Sequence, residues 1–208
     1  MSKYKGLNNR IKNVFTEFYI DQEFEEYPYI DLDKTNKKLI NNRWFGIDSF
    51  PKQMEAESPH GVLDVFWDLD KDKTNYLKQE EKFIRALLLI MSYSKDIIIS
   101  SDYYFSENKK YINRVIEKKD LEHLKVIKDV LFDIKEIEYD YYAINSLIKI
   151  ALRERSNLSI YMLDLEIMLE INGLYSNVYL GAKGNIDIVK YICTVEGLYI
   201  RYRNSDRI

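Results

Sequence analysis

Three aspartates alternate along one short segment, as the first oxygen ligands of a calcium loop do. Asp68, Asp70 and Asp72 lie within FWDLDKDKTNYLKQEE. An EF-hand loop needs glycine at its sixth position and a bidentate glutamate at its twelfth. Lys73 and Gln79 occupy those positions here. Because lysine adds a repelling charge and glutamine lacks a charged chelating pair, we expect no metal there. The acids suit instead a turn before a helix that begins around Tyr76, because the helix dipole favours negative charge near its N-terminal end.

Other residue types with catalytic or metal-binding chemistry are few. His60 and His123 are the only histidines and Cys193 is the only cysteine, whereas a structural zinc site draws four ligands mainly from these types. The sequence shows neither a glycine-rich phosphate loop nor a nucleophile elbow. Cys193 follows an apolar run and is expected to be buried. The sequence therefore identifies no catalytic residue, no metal ligand and no cofactor.

An acidic segment rich in aromatic residues, DQEFEEYPYIDLD at positions 21–33, is the clearest charge feature. It carries six acids and no base, in a chain whose formal net charge is only -3. Such crowded charges repel one another, and a basic partner relieves the repulsion and is steered by it. Aromatic side chains anchor many interfaces. We predict a partner-binding surface formed by Asp21, Glu23, Glu25, Glu26, Tyr27, Tyr29, Asp31, Asp33, Trp44 and Phe45.

Composition places the chain among globular proteins. It has 208 residues, of which 46% are hydrophobic and 31% are charged, as expected for one domain with a substantial core. The start, MSKYKGLNNRIKN, lacks the apolar centre of a signal peptide, and the longest aliphatic run, ALLLIM, is far shorter than the roughly 20 residues of a membrane span. We expect a cytoplasmic protein without membrane association.

Hydrophobic spacing predicts the elements that position these residues. Leu7, Ile11 and Phe18 belong to a helical pattern that should end near Ile20. Residues 34–61 contain two prolines, two glycines and no sustained period, which predicts a long aromatic loop packed on the body. VLDVFW at 62–67 has the composition of a strand.

Helices dominate the predicted middle of the chain. A strong apolar pattern over 76–93 predicts a central helix, and DIIIS after it predicts a buried strand. We expect a helix from about residue 107, a second one capped by Asp120 and reaching Ile134, and a third from about Tyr139 to Arg153.

The C-terminal part has the clearest local signals. Asn172-Gly173 between two strand-like runs predicts a hairpin with a type I′ turn. Asn185 is a candidate helix cap and Gly197 a candidate helix end, before a last strand in LYIRY. The predicted fold is α+β: one helix-rich domain over 1–208, with an N-terminal part at 1–61, a main body at 62–208, and a C-terminal hairpin–helix–strand unit.

These features predict a non-enzymatic cytoplasmic protein that neutralises a basic protein partner, as the immunity protein of a toxin does. The alternative is a nucleic-acid-binding or metal-dependent nucleic-acid-processing protein, because Lys110, Arg114 and Lys118 form a basic stripe at helical spacing. The pI near 5.6 argues against a dedicated nucleic-acid binder. A third alternative is a metal-dependent hydrolase that uses the carboxylates from Asp64 to Asp72. A spatially assembled catalytic site could also draw on Asp64, Asp68, Asp70 and Glu80.

Overall fold

A seven-stranded antiparallel sheet is the centre of the computed structural model. The structure describes residues 2–18, 20–21, 28–32, 34–35, 42–50, 73–104, 112 and 116–202. The helices in these ranges are α1 (Ser2–Val14), α2 (Thr74–Ser92), α3 (Lys118–His123), α4 (Tyr141–Leu152) and α5 (Asp187–Glu196). Short 3-10 turns cover Asp102–Tyr104, Leu124–Val126 and Ile134–Ile137.

The strands of the described residues are β1 (Ile20–Asp21), β2 (Tyr29–Ile30), β3 (Trp44–Asp48), β4 (Ile97–Ser101), β5 (Leu131–Asp133), β6 (Leu158–Met162), β7 (Ile167–Ile171), β8 (Tyr175–Leu180) and β9 (Tyr199–Tyr202). The large sheet has the order β5-β4-β6-β7-β8-β3-β9, and β1 and β2 form a separate two-stranded ribbon. The predicted α+β fold is confirmed. Within the described ranges, every helix is too short or too polar to cross a membrane.

Side-chain alternation gives the sheet two apolar faces. On β4, Ile97 and Ile99 enter a large core with α2, α4 and α5, while Ile98 enters a smaller core with α1. A strand covered on both faces carries a continuous apolar run, as DIIIS does. The predicted buried strand is confirmed. We call the face that bears Ile98 the α1 face.

Helix α1 is attached to the α1 face by apolar contacts and by ion pairs. Leu7 and Ile11 are buried, and the Arg10 guanidinium pairs with Asp133 at 3.0 Å and also with Asp96. The helix ends at Val14, earlier than predicted, because the chain leaves it to form the β1–β2 ribbon.

Residues 44–48 form a central strand, so the prediction of an irregular loop is wrong at these positions. β3 lies between β8 and β9 and pairs antiparallel with both. Trp44 faces the smaller core, whereas Phe45 and Ile47 face the larger one. A strand buried on both faces lacks a polar–apolar alternation, and its partners come from the far end of the chain. Residues 51–61, and the strand predicted at 62–67, lie outside the described residues.

The helix predicted from Asp120 to Ile134 is present only up to His123, and the prediction is wrong beyond that residue. α3 ends at His123, and residues 131–133 pair with β4 as strand β5. Apolar spacing there imitates a helix, but pairing with β4 stabilises an extended chain instead. Asp120 is not the cap of α3: it is buried and its carboxylate binds the Lys149 ammonium at 3.0 Å and the Ser146 hydroxyl at 3.2 Å. The helix predicted near residue 107 lies mostly outside the described residues.

Helices α2 and α4 confirm the predicted helices at 76–93 and 139–153. α4 begins after Asp140, whose carboxylate accepts hydrogen bonds from the N–H groups of Tyr142 and Ala143. Such a cap satisfies donors that have no partner inside the helix. α2 buries Phe83 and Leu87 completely in the large core, and each such side chain contributes roughly 1.5–3 kcal/mol when it leaves water.

The C-terminal hairpin, helix and strand are confirmed, but the turn type is not. β7 and β8 pair antiparallel up to Ile171 and Ser176, so four residues, 172–175, lie between the last paired positions, and the last of these already belongs to β8. Among these four, only Gly173 has a positive φ, at 83°, whereas a type I′ turn needs two such residues. Gly197 ends α5 with φ at 71°, as predicted, but the N-cap of α5 is Ile186 rather than Asn185. The Asn185 side chain, one residue earlier, accepts a hydrogen bond from the N–H of Asp187.

A buried ion pair joins α2 to the end of α4. Glu80 is 4% exposed, and its two oxygens accept bonds of 2.6 and 2.7 Å from the Arg153 guanidinium. This bidentate geometry provides the hydrogen bonds that a buried carboxylate requires. The carboxylate also raises the pKa of Arg153, chiefly through the hydrogen bond.

Removing the Arg153 guanidinium should therefore destabilise the fold. We expect Arg153→Ala to lower the free energy of unfolding by about 3 kcal/mol, because it leaves the Glu80 charge buried without a partner. Urea denaturation followed by circular dichroism measures this change. Arg155→Ala is the matched control, since that side chain is exposed, and its effect should stay within about 0.5 kcal/mol. Equal effects of the two substitutions would show that the pair is not a support of the fold.

Candidate binding pocket

A row of polar side chains crosses the middle strands on the α1 face. Ser159 lies opposite Glu170, and Glu170 lies opposite Asn177. Each is two residues from a member of the smaller core, such as Tyr161 on β6 and Met168 on β7. Because alternate residues share a face, the polar row lies on the same face as α1.

A pocket of about 320 Å³ opens on this row. Its lining residues are Asn157, Glu170, Asn172, Tyr175 and Asn177. They provide one carboxylate, three amides and one phenol, without a basic group, a histidine or a thiol. This set of groups can form many hydrogen bonds to a ligand, and its only negative charge is that of Glu170.

The carboxylate at the floor of the pocket is oriented by two neutral donors. Glu170 Oε2 accepts hydrogen bonds from Asn177 Nδ2 and from the Tyr179 hydroxyl, both at 3.1 Å. Asn177 Oδ1 in turn accepts a bond from the Trp44 indole N–H at 3.1 Å. The amide therefore directs its nitrogen to the carboxylate and its oxygen to the indole.

Asn157 is oriented in the same way at the rim. Its backbone N–H and its side-chain Nδ2 donate to the two oxygens of Asp102, at 2.9 and 3.0 Å. A carboxylate only accepts hydrogen bonds, so the amide nitrogen must face Asp102. The Asn157 amide oxygen is then the group that remains for other contacts.

Tyr175 forms one wall of the pocket and needs a glycine beside it. A Cβ added at Gly46 would lie 1.6 Å from the Tyr175 hydroxyl oxygen, so no other residue fits there while the ring keeps its place. The Arg201 guanidinium near the pocket is already engaged by other groups. It pairs with Asp48 at 2.7 Å and donates a hydrogen bond to the Phe50 carbonyl at 2.6 Å.

The predicted acidic surface begins on the same face as the pocket. Asp21 and Tyr29 pair in the β1–β2 ribbon, and the Tyr161 hydroxyl donates a 2.9 Å bond to the Pro28 carbonyl. Ile20 and Ile30 are buried in the smaller core. Ile20, Pro28 and Ile30 therefore attach the ribbon to the sheet. The side-chain roles of Asp21 and Tyr29 stay predictions, as do those of the residues outside the described ranges, Glu23, Glu25, Glu26, Tyr27 and Asp33.

Three other predicted surface residues have internal partners or internal positions. The Asp31 carboxylate pairs with the Lys34 ammonium at 3.2 Å and accepts a bond from the Lys34 N–H. Trp44 and Phe45 are only 5% and 2% exposed. They pack in the two cores, so we remove these two rings from the predicted contact surface. Trp44 acts instead behind the pocket, through its bond to Asn177.

Metal-binding and basic features are limited in the described part of the chain. No group of three or more His, Cys, Asp or Glu residues there could hold a metal ion. His123 stacks on the Tyr142 ring with centroids 5.1 Å apart. Of the basic stripe, Lys118 is exposed, and the neighbouring Lys119 pairs with Glu117 at 2.8 Å. His60, Lys109, Lys110, Arg114 and the carboxylates at 64–72 lie outside the described residues.

The sequence analysis did not predict the pocket residues, although the strand sequences contain one indication of them. Glu170 interrupts the apolar strand IMLEI, and a charge inside a buried strand is unusual unless it has partners. Asn177 interrupts β8 in the same way. Their pairing becomes visible only when the register of β7 and β8 is known.

A search of family models, of curated proteins and of solved structures finds no match for this chain. The geometry of its own residues must therefore support any functional inference.

Cys193 should be chemically inert in the folded protein. Its side chain is fully buried, and burial raises the pKa of the thiol to about 12. The thiolate, which is the reactive form, is therefore scarce at neutral pH. We expect no labelling by iodoacetamide at pH 8 in the native state and full labelling after unfolding, measured by mass spectrometry. Rapid labelling of the native protein would contradict the buried position.

The buried thiol also makes the stability of the fold depend on pH. Since the folded pKa is raised from 9.0, the stabilisation from this group is lost as pH rises from about 9 to about 12.

The Tyr161 hydroxyl should hold the ribbon to the sheet. We expect Tyr161→Phe to increase hydrogen exchange at β1 and β2 and to cost about 1 kcal/mol, because the Pro28 carbonyl loses its donor. Hydrogen exchange with mass spectrometry measures this. Tyr179→Phe is the matched control, since it removes a hydroxyl that binds Glu170 instead. Equal exchange at the ribbon in both variants would show that this bond does not anchor the segment.

Proposed function

We propose that this protein is a non-enzymatic binding protein that neutralises a basic protein partner, as an immunity protein does for a toxin. One observation carries the proposal. The α1 face bears both the anchor of the acidic segment and a pocket that contains a carboxylate but no base.

The acidic segment and the pocket are neighbours on this face. Tyr161, which binds Pro28, lies opposite Met168, and Glu170 is two residues further along β7. Such diagonal cross-strand neighbours are roughly 7–8 Å apart. A partner that contacts one of these features would therefore reach the other. Crowded acids steer a basic protein toward the surface, and the pocket supplies the specific contact.

The groups in the pocket favour binding over catalysis. General acid–base or nucleophilic catalysis needs an activated nucleophile or a positioned proton donor and acceptor. The lining residues offer amides, a phenol and one carboxylate, which is oriented by neutral donors. A cytoplasmic location is part of this proposal, because the one cysteine is an unpaired thiol, as is usual in a reducing compartment.

The proposal is tested by neutralising acids in the segment. We expect the triple variant Glu23→Gln, Glu25→Gln, Glu26→Gln to bind a peptide rich in lysine and arginine about tenfold more weakly than the wild type, a loss of about 1.4 kcal/mol. Fluorescence anisotropy at low and at physiological salt measures the affinity. The physical reason is the loss of steering and of close charge pairs.

A control with the same net charge separates a local surface from overall charge. Glu81→Gln, Glu117→Gln, Glu122→Gln removes three exposed acids elsewhere, and it should leave the affinity within about twofold. Equal losses in the two triple variants, or no loss in the first, would overturn the proposal. Binding of a DNA or RNA oligonucleotide without binding of the peptide would also overturn it, in favour of the nucleic-acid alternative.

A further inference from the structure

The pocket presents mainly hydrogen-bond acceptors to a ligand. Asn177 Nδ2 donates to Glu170, and Asn157 Nδ2 donates to Asp102, so these two donors are already used. Glu170 Oε1 and Asn157 Oδ1 receive no hydrogen bond from the described residues, and Asn172 has an exposed amide. A ligand that fits this arrangement must therefore donate several hydrogen bonds.

The charge of the pocket selects for a cation. Glu170 has no ion-pair partner among the described residues, while the nearest base along the polar row, Arg201, is paired with Asp48. Asp102 adds a second carboxylate behind Asn157. A partly buried carboxylate is costly unless a charge compensates for it, so a bound cation would stabilise the pocket.

The volume limits the size of that cation. Ligand pockets usually span roughly 300–1,000 Å³, and this one is at the lower limit, with about 320 Å³. It accommodates one long side chain, and the absence of a basic group from the lining disfavours an anionic nucleotide. The fixed position of Glu170 also lowers the entropy that is lost on binding, because two hydrogen-bond donors already orient its carboxylate.

We propose that the pocket binds the guanidinium group of an arginine side chain carried by the basic protein partner. Glu170 Oε1 accepts the charged hydrogen bond, and the amide oxygens of Asn157 and Asn172 accept others. A planar guanidinium with five donors can serve several separate acceptors at once, and it is less strongly hydrated than an ammonium group. The Tyr175 ring supplies a wall on which the plane can stack. The assignment to a partner's arginine rests on the proposed function.

The experiment uses blocked amino acids as probes and the full chain as receptor. N-acetyl-arginine amide is titrated into isotope-labelled protein, and chemical shifts are followed by NMR. We expect shifts at the amides of Glu170, Asn172 and Asn177, with a dissociation constant in roughly the millimolar range. N-acetyl-lysine amide should bind about tenfold more weakly, because it lacks the planar fork.

A substitution of the carboxylate identifies the residue that recognises the charge. Glu170→Gln keeps an oxygen that accepts from Asn177 and Tyr179, so the floor retains its hydrogen bonds. We expect it to weaken arginine binding at least about tenfold. Glu122→Gln removes one exposed acid on α3 and should change nothing. If Glu170→Gln does not fold, Asn172→Ala, in the exposed turn, should weaken binding about threefold.

Several outcomes would overturn the assignment: no shifts at the pocket, equal affinity for arginine and lysine probes, or an unchanged affinity in Glu170→Gln. Free L-arginine binding about tenfold more tightly than the blocked form would also overturn it, because the pocket would then recognise an amino acid rather than a partner's side chain. The two proposals fail separately. If the Glu23, Glu25 and Glu26 variant loses peptide binding while blocked arginine does not bind, only the guanidinium assignment fails. If blocked arginine binds while the peptide test fails, the pocket keeps its ligand and the protein-neutralising function fails.

Discussion

The alternation of side chains along β6, β7 and β8 is the constraint on which the pocket depends. Ile160 and Leu169 face the large core, so the residues next to them must face the opposite side of the sheet. Those neighbours, Ser159 and Glu170, begin the polar row that Asn177 continues. A register shift of one residue would turn the carboxylate into the apolar core, so the burial of the large core also fixes the polar floor.

The extent of the smaller core explains why Glu170 and Asn177 in the polar row are only half-buried, whereas their apolar neighbours are buried. α1 and the ribbon cover the part of the α1 face that contains Ile98, Tyr161 and Tyr179. Arg10 ties the helix to β5 and to the residue before β4, at one end of those strands. The pocket opens beyond this cover, toward the turn that joins β7 to β8. The same helix therefore stabilises one part of the face and leaves the part that bears the pocket open.

Local signals predicted the elements whose stabilising contacts are close in sequence. α2 and α4 have helical apolar spacing, and α5 ends at a glycine with positive φ. Strands β3 and β5 were not predicted, because each is a short apolar run whose pairing partners are distant in the sequence. Apolar runs of this length are compatible with a helix, a strand or a loop. The role of Glu170 was not predicted for the same reason, since its partners Asn177 and Tyr179 lie next to it only across a hairpin.

Strand β3 lies between two C-terminal strands, β8 and β9, so the sheet depends on contacts between residues that are far apart in the sequence. The Trp44 indole and the Asn177 amide are 133 positions apart in the chain. Chain segments so far apart must meet before β8 and β9 can belong to one sheet, and the entropy of closing such a loop slows folding. Until that meeting, β8 exposes an unpaired edge next to apolar residues, which invites association with other chains. Formation of the face that bears the pocket therefore depends on a long-range contact between the N-terminal and C-terminal parts of the chain.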